Sequence, residues 1–332
     1  MQLLRTVLEP GRTLTAAAES AISFNLPVNP LSVVLVTLKA LNNTATITDY
    51  AALDAFFAKV SKIRTAYRGA SIHDGDALDL AMMAGILSGW WWKQGQVNDT
   101  DGDVRSLTFP LLFGRKPYDP KQCFPATRNG DFKLFVDTAA DPTGLDNFVM
   151  SIETAEILDA NPESFLKQTT NGKTMQSGAA NEIELPIGNK LLGVLLRAAT
   201  FPTGASMNSS MAEVALEVDN VEVMISRTQW KTLQGEMGRF IGDWMAYPAH
   251  VHTENTAAAY AQNASTLGGR VDIAMLQQYG YLDFDPLKDE SYALDTTGAA
   301  KVNLAITSDV ADASPSYAMT VEKVATGAQA AA

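Results

Sequence analysis

The chain opens its pattern of apolar and polar positions with short alternating runs broken by turn residues. Phe132-Lys133-Leu134-Phe135-Val136-Asp137 alternates at period two, as do Phe148–Glu153, Val302–Thr307 and Tyr317–Glu322. That is the signature of half-buried strands. Leu31–Ala40 and Lys190–Ala199 are longer and almost continuously apolar, as strands buried on both faces are. Helical spacing is confined to the stretches between strands. Asp54, Phe56 and Phe57 fall in a helical pattern inside Thr48–Lys59, with Asp49 as its expected cap. Asp76-Ala77-Leu78-Asp79 reads as a second helix start. Ser226 is the expected N-cap of a third, running through Trp230, Leu233 and Met237.

The runs recur in order. Leu26-Pro27 matches Leu185-Pro186 at an offset of 159, and Val34-Leu35 matches Val194-Leu195 at 160, so one residue of turn length separates the copies. Ile63–Ile72 leading into Asp76 matches Val214–Val223 leading into Ser226, at about 150. Phe132–Asp137 matches Val302–Thr307 at 170, and Phe148–Glu153 matches Tyr317–Glu322 at 169. Alternating aliphatic strings resemble one another, but three matches in one order point to a duplicated unit, with insertions where loops belong.

Each copy reads strand, turn, long strand, excursion, strand, helix, excursion and closing strands. The late excursion is Trp90–Gly102 in the first copy. In the second it is Trp244–Tyr281, with helical stretches near Ala257–Gln262 and Asp272–Gln278. Many short strands with Gly, Pro and Asn turns define a sandwich or barrel, and long excursions at one end favour a jelly roll. The expected fold is therefore all-β: two tandem eight-stranded jelly-roll sandwiches with short helices in the inter-strand excursions. The expected boundaries are an N-terminal arm at 1–17, a first jelly roll at 18–160, a polar linker at 161–181, a second jelly roll at 182–325 and a C-terminal tail at 326–332.

Composition narrows the function more than the fold. At 332 residues the chain has room for two cores. Its formal charge of −12 argues against direct nucleic-acid binding, which needs clustered Lys and Arg. One cysteine, Cys123, excludes an intramolecular disulfide framework. Met1–Arg5 carries no secretory leader pattern, and no apolar run approaches a membrane span, so synthesis in a cytoplasm-like compartment is expected.

Two tandem jelly rolls of this size resemble the double-jelly-roll major capsid proteins of tailless icosahedral viruses and phages, the adenovirus-hexon lineage. The residues carrying the resemblance are the Leu26-Pro27 and Leu185-Pro186 turns, the helix starts at Asp76 and Ser226, and the paired late strands. The resemblance implies a virion protein, made in the host cytoplasm, that forms homotrimers of six pseudo-equivalent barrels and tiles an icosahedral shell. It implies as partners further copies of the chain, other capsid proteins such as a vertex protein, and in many members an internal viral membrane.

Candidate chemistry is sparse. No nucleophile elbow, P-loop or dinucleotide-binding glycine fingerprint is present, so no catalytic residue and no cofactor is assigned. His250-Val251-His252-Thr253-Glu254 invites a metal reading but reads better as a polar loop. Asp99, Asp101 and Asp103 open like a calcium loop, yet the twelfth position from Asp99 is Pro110 and not the glutamate an EF-hand needs. They stay weak metal candidates, with Asx-turns as the plainer reading. Trp90, Trp91 and Trp92 are interface candidates, since three consecutive indoles cannot all face one core. Leu3 and Leu4, with Val7 and Leu8, fall on one helical face and could dock on a neighbour or a membrane surface. The alternative reading is a two-domain β-sandwich that binds glycans or degrades polymers, with the tryptophans as sugar platforms.

Overall fold

The computed structural model describes residues 2–43, 49–95, 100–202, 206–240 and 278–329. Its strands divide into two compact units: residues up to Gln168 together with those from Val324 onward, and Thr169–Lys323.

Unit 1 contains β1 (Gln2–Thr13), β2 (Glu19–Asn25), β3 (Leu31–Asn42), helix α1 (Asp49–Lys59), β4 (Val60–Tyr67), β5 (Ala70–Gly75), helix α2 (Ala77–Ser88), β6 (Lys93–Gly95), β7 (Val104–Leu112), β8 (Phe132–Thr138) and β9 (Leu145–Leu158). Strand β10 (Ser164–Lys173) starts in this unit and continues into the next. One sheet has the order β1-β9-β3-β7-β6, and the other runs β2-β8-β4-β5. Apart from the adjacent pairs β4–β5 and β6–β7, consecutive strands alternate between the two sheets, which is the jelly-roll connection. Both long central strands, β3 and β9, are buried along most of their length, which accounts for the nearly continuous apolar run of β3. Val36 pairs with Ile152 on one side and Phe109 on the other, all interior.

Unit 2 repeats the plan with β11 (Asn181–Glu184), β12 (Lys190–Arg197), β13 (Glu213–Val218), β14 (Val221–Glu222), β15 (Thr228–Gln229), helix α3 (Trp230–Met237), β16 (Tyr279–Asp283), β17 (Leu294–Asp295), β18 (Val302–Thr307) and β19 (Ser316–Ala325). Its sheets run β16-β12-β19-β10 and β11-β18-β13-β14. Strand for strand, β10 to β14, β16, β18 and β19 occupy the places of β1 to β5, β7, β8 and β9. The core between them gathers Leu191, Val194, Leu196, Val214, Leu216, Trp230, Leu304 and Ala318.

Several expectations are corrected. The N-terminal segment is not an arm: β1 is the outer strand of a sheet, paired to β9 from Gln2↔Leu158 to Thr13↔Val149. The spacing of Leu3, Leu4, Val7 and Leu8 fits a helix only because a strand exposed on both faces leaves no alternation to read. The stretch 161–181, expected as a linker, holds β10, whose opening Ser164, Phe165 and Leu166 are buried. The polar end of that stretch, Thr169–Lys173, masks its apolar start. At the chain's end, the Thr326 amide donates to the Glu163 carbonyl at 3.1 Å, anchoring the tail's first turn within unit 1.

Helix α2 starts where Asp76 predicts, with Asp76 in extended conformation as N-cap. Helix α3 starts later than expected, because Thr228–Gln229 stays extended against Val214 and Glu213. Gln229 is its N-cap, and the Ser226 hydroxyl bonds the Glu222 carboxylate instead.

Candidate functional site

The features with functional content lie on unit 1's outer strand, its tryptophan segment and a set of buried polar residues. Helix α2 is buried from Ala77 to Leu87 and, apart from Asp79 in its first turn, apolar over that whole stretch, as a helix packed on every side must be. It ends at Gly89, whose left-handed φ of 74° lets its amide cap the Gly85 carbonyl at 2.8 Å. That turn reverses the chain and drives the next residues inward. Trp91 lies flat on Gly85, where a Cβ would meet its ring at 2.4 Å. Trp92 stands edge-on to Phe57, with ring centroids 5.6 Å apart. Both indoles are buried, so two of the three interface candidates belong to the core. Trp90 alone is half-exposed, with its ring 6.1 Å from that of Tyr118.

Tyr118 also accepts a hydrogen bond from Arg5 at 3.1 Å. Arg5 shares one face of β1 with Leu3 and Val7, and Leu4 lies on the other. All four are exposed. On that second face Thr6 donates to the carboxylate of buried Glu156 at 2.7 Å, so β1 is held in place by side chains as well as by its ladder. Arg5 thus links the exposed face of β1, with Leu3 and Val7, to Tyr118, whose ring lies beside that of Trp90. Trp90 itself packs in part on the cluster of Val33, Ala84, Leu112 and Ala155.

The metal candidates do not assemble. Asp99 lies outside the described residues, as do His250 and His252. Asp101 is exposed, and Asp103 serves by its backbone: its carbonyl accepts from the Asn42 amide at 3.0 Å. Among the described residues no group of three or more His, Cys, Asp and Glu could hold a metal ion.

Three polar residues that sequence reasoning left unassigned are buried. His73 is sealed between β4, β7 and Phe113. Its Nε2–H donates to the Leu112 carbonyl at 3.0 Å and its Nδ1 accepts from the Thr65 hydroxyl at 2.9 Å, the arrangement of a neutral ring. Burial lowers its pKa to about 4, partly opposed by the bond to Leu112. Lys59, the last residue of α1, donates to the carbonyls of Thr15 and Ala139, both at 2.8 Å, and pairs with Asp141 at 2.7 Å. Cys123 is buried, and burial first, then Asp119, pushes its thiol up to about 11. It is a protonated, unreactive thiol at neutral pH. His73 and Lys59 fasten strands and loops together, whereas the Cys123 thiol lies against the Pro120 carbonyl of its own loop at 3.7 Å.

No protein-family model matches the sequence, and no curated protein matches it. Solved structures do. The chain is similar to the STIV MCP (Sulfolobus turreted icosahedral virus), with a TM-score of 0.66 at 14% identity over 100% of this chain and 99% of that one. It is similar to the major capsid protein P2 of bacteriophage PM2, with a TM-score of 0.58 at 11% identity over 97% and 98% of the two chains. The PBCV-1 virus capsid gives 0.58 at 10% identity over 97% and 94%. The fold is therefore the double jelly roll, over 97% or more of this chain.

Proposed function

We propose that this chain is the major capsid protein of a tailless icosahedral virus. The observation that carries the reading is the strand-for-strand duplication, in a chain whose full length superposes on capsid proteins from three virus groups. Three copies of a duplicated unit put six jelly rolls around one axis, and that near-hexagonal footprint tiles a shell using one protein. Further copies of the chain are its principal partners. A separate vertex protein closes positions where a six-fold footprint does not fit, and an inner membrane lies under the shell in many viruses of this type. The protein is made in the host cytoplasm and works in the virion. Its acidic balance gives the packaged genome no basic surface to bind.

The glycan-binding alternative loses its main support, since Trp91 and Trp92 are interior and leave only Trp90 for stacking. Light scattering on the purified chain tests the capsid reading. A mass of three chains, with hexagonal particles or shells in negative stain, is expected. A monomer at all concentrations overturns it.

A further inference from the structure

Two asparagines of the chain are followed by glycine, Asn129-Gly130 and Asn171-Gly172. Asparagine is a chemically labile residue, and a following glycine has no Cβ to hold its own nitrogen away from the asparagine side-chain carbonyl. The fold treats the two pairs differently.

Asn129-Gly130 is the tip of the turn that leads into β8. The Asp131 amide donates to the Arg128 carbonyl at 3.1 Å, and Gly130, with a φ of 85°, takes the left-handed position of a type II turn. The turn is fastened at Asp131, whose carboxylate pairs with Arg68 at 2.9 Å and whose carbonyl accepts from the Arg68 amide at 2.8 Å. The pair itself is not fastened: Asn129 is exposed, and neither its side chain nor the Gly130 amide has a hydrogen-bond partner among the described residues. Asn171-Gly172 lies instead within β10 of unit 2. The Asn171 side-chain amide donates to the Glu184 carbonyl at 2.8 Å, which holds its Cγ in place. Gly172 lies against the Tyr317 ring, where a Cβ would come within 2.8 Å, and the Arg197 guanidinium lies over that ring, 4.5 Å from its centroid.

We propose that Asn129 is a site of spontaneous deamidation in the folded protein, with water as the only co-reactant, and that Asn171 is protected. The Gly130 amide nitrogen gives up its proton and attacks Asn129 Cγ. The new N–Cγ bond closes a succinimide as the Cγ–Nδ2 bond breaks, and ammonia leaves with that proton. Water then opens the ring at one of its two carbonyls. Opening at Cγ leaves aspartate on the normal backbone; opening at the main-chain carbon leaves isoaspartate, with the chain running through Cγ. Either product adds a negative charge near Asp131, and isoaspartate also lengthens the turn that leads into buried Phe132. At Asn171 the same attack would have to break the bond to Glu184 and move Gly172 under the Tyr317 ring. The reaction needs only the folded chain and water, so it holds whether or not the chain builds a shell.

Ageing the purified full chain in mildly alkaline buffer tests this. Cleavage after lysine isolates the two pairs in separate peptides, 122–133 and 168–173, whose conversion to the acid is read by mass spectrometry. In the native protein Asn129 is expected to convert at least about tenfold faster than Asn171, a barrier lower by about 1.4 kcal/mol. In urea, where neither turn nor strand survives, the two rates should come together. Equal native rates, or a faster Asn171, overturn the proposal. So does a gap that persists in urea, because it would come from the neighbouring residues and not from the fold. Labelling of the aged protein by an isoaspartyl methyltransferase checks the position. The label is expected on the wild type and lost in Asn129→Gln, whose longer side chain closes the ring far more slowly. Undiminished label in that variant places the reaction elsewhere and overturns the assignment.

Discussion

The Asn29 side-chain amide donates to the buried Glu156 carboxylate at 2.7 Å, and in the second copy Asn189 donates to buried Glu322 at the same 2.7 Å. Around this pair the backbone repeats too. The Leu26 amide donates to the Phe132 carbonyl at 3.0 Å, and the Leu185 amide to the Val302 carbonyl at 2.9 Å. A bulge follows at the same place in each copy, between Leu31 and Val33 and between Leu191 and Gly193. A buried carboxylate needs donors, and the asparagine supplies one while fastening the turn to the strand opposite it. Loops and helices have diverged around this clamp, but the clamp has been kept twice.

Removing the amide should therefore cost both units alike. Asn29→Ala and Asn189→Ala each strand part of a buried carboxylate's hydrogen bonding, a loss of about 1–3 kcal/mol. Urea unfolding of each variant measures it. A change below a few tenths in either one would show that the turn is held without its clamp.

Lys59 is the more demanding case. Its ammonium donates to two loop carbonyls and forms an ion pair with the Asp141 carboxylate from a fully buried position, over the Phe148 ring. Lys59→Met keeps the aliphatic stem and removes the charge, leaving Thr15, Ala139 and Asp141 without their donor. A loss of about 3–5 kcal/mol is expected, the cost of breaking a buried pair on one side. Denaturation of the variant checks it, and a neutral effect would mean that water replaces the ammonium at no cost.

The duplication was legible because strands keep their alternation when loops change. The matched segments fall on β2–β3 and β11–β12, on β4–β5 and β13–β14, and on β8 and β18. The match of β9 to β19 slipped. Pattern alone sets Glu153 against Glu322, but Leu31 pairs with Glu156 where Leu191 pairs with Glu322, so Glu156 is the counterpart. Alternation could not set the register here, because Thr154–Ile157 and Ala318–Glu322 are buried on both faces and do not alternate; the buried Asn–Glu clamp marks it instead. β1 escaped for the opposite reason, since a strand exposed on both faces has no alternation. For the tryptophans, divergence of neighbouring side chains was foreseen, but the left-handed turn at Gly89 and the vacant space over Gly85 were not, and these admit Trp91 and Trp92 to the interior.

His73 makes unit 1 acid-sensitive. Its ordinary pKa of 6.5 falls to about 4 in the fold because burial disfavours the imidazolium. Below about pH 6.5 the unfolded chain takes up a proton that the folded chain refuses. This stabilisation is thus complete above that pH, and is lost progressively as pH drops toward 4. Between pH 7 and pH 5 the wild type should lose about 2 kcal/mol more than His73→Gln, measured by urea unfolding at each pH. Equal losses would place the acid sensitivity elsewhere.

Cys123 should report unfolding. Buried, with its thiol pushed up to about 11, it offers almost no thiolate at neutral pH. Labelling by an aromatic disulfide reagent is expected to be slow in the native protein and fast in denaturant. Rapid native labelling would mean that this part of unit 1 opens readily.

The contact of Trp91 with Gly85 can be isolated by a double-mutant cycle. A methyl group at Gly85 would lie 2.4 Å from the Trp91 ring, far inside contact distance, and the ring is wedged edge-to-face on Trp92 with centroids 5.5 Å apart. Gly85→Ala should therefore destabilise by about 1–3 kcal/mol, despite alanine's better helix propensity, because overpacking outweighs it. Trp91→Leu should destabilise by a similar or larger amount through the cavity it leaves. Combined, the two changes relieve each other: the methyl occupies space the indole has vacated. The double variant should be more stable than the sum of the two losses implies, by at least about 1 kcal/mol. Simple additivity in urea unfolding would mean that the ring moves aside freely, and that Gly85 is small for some other reason.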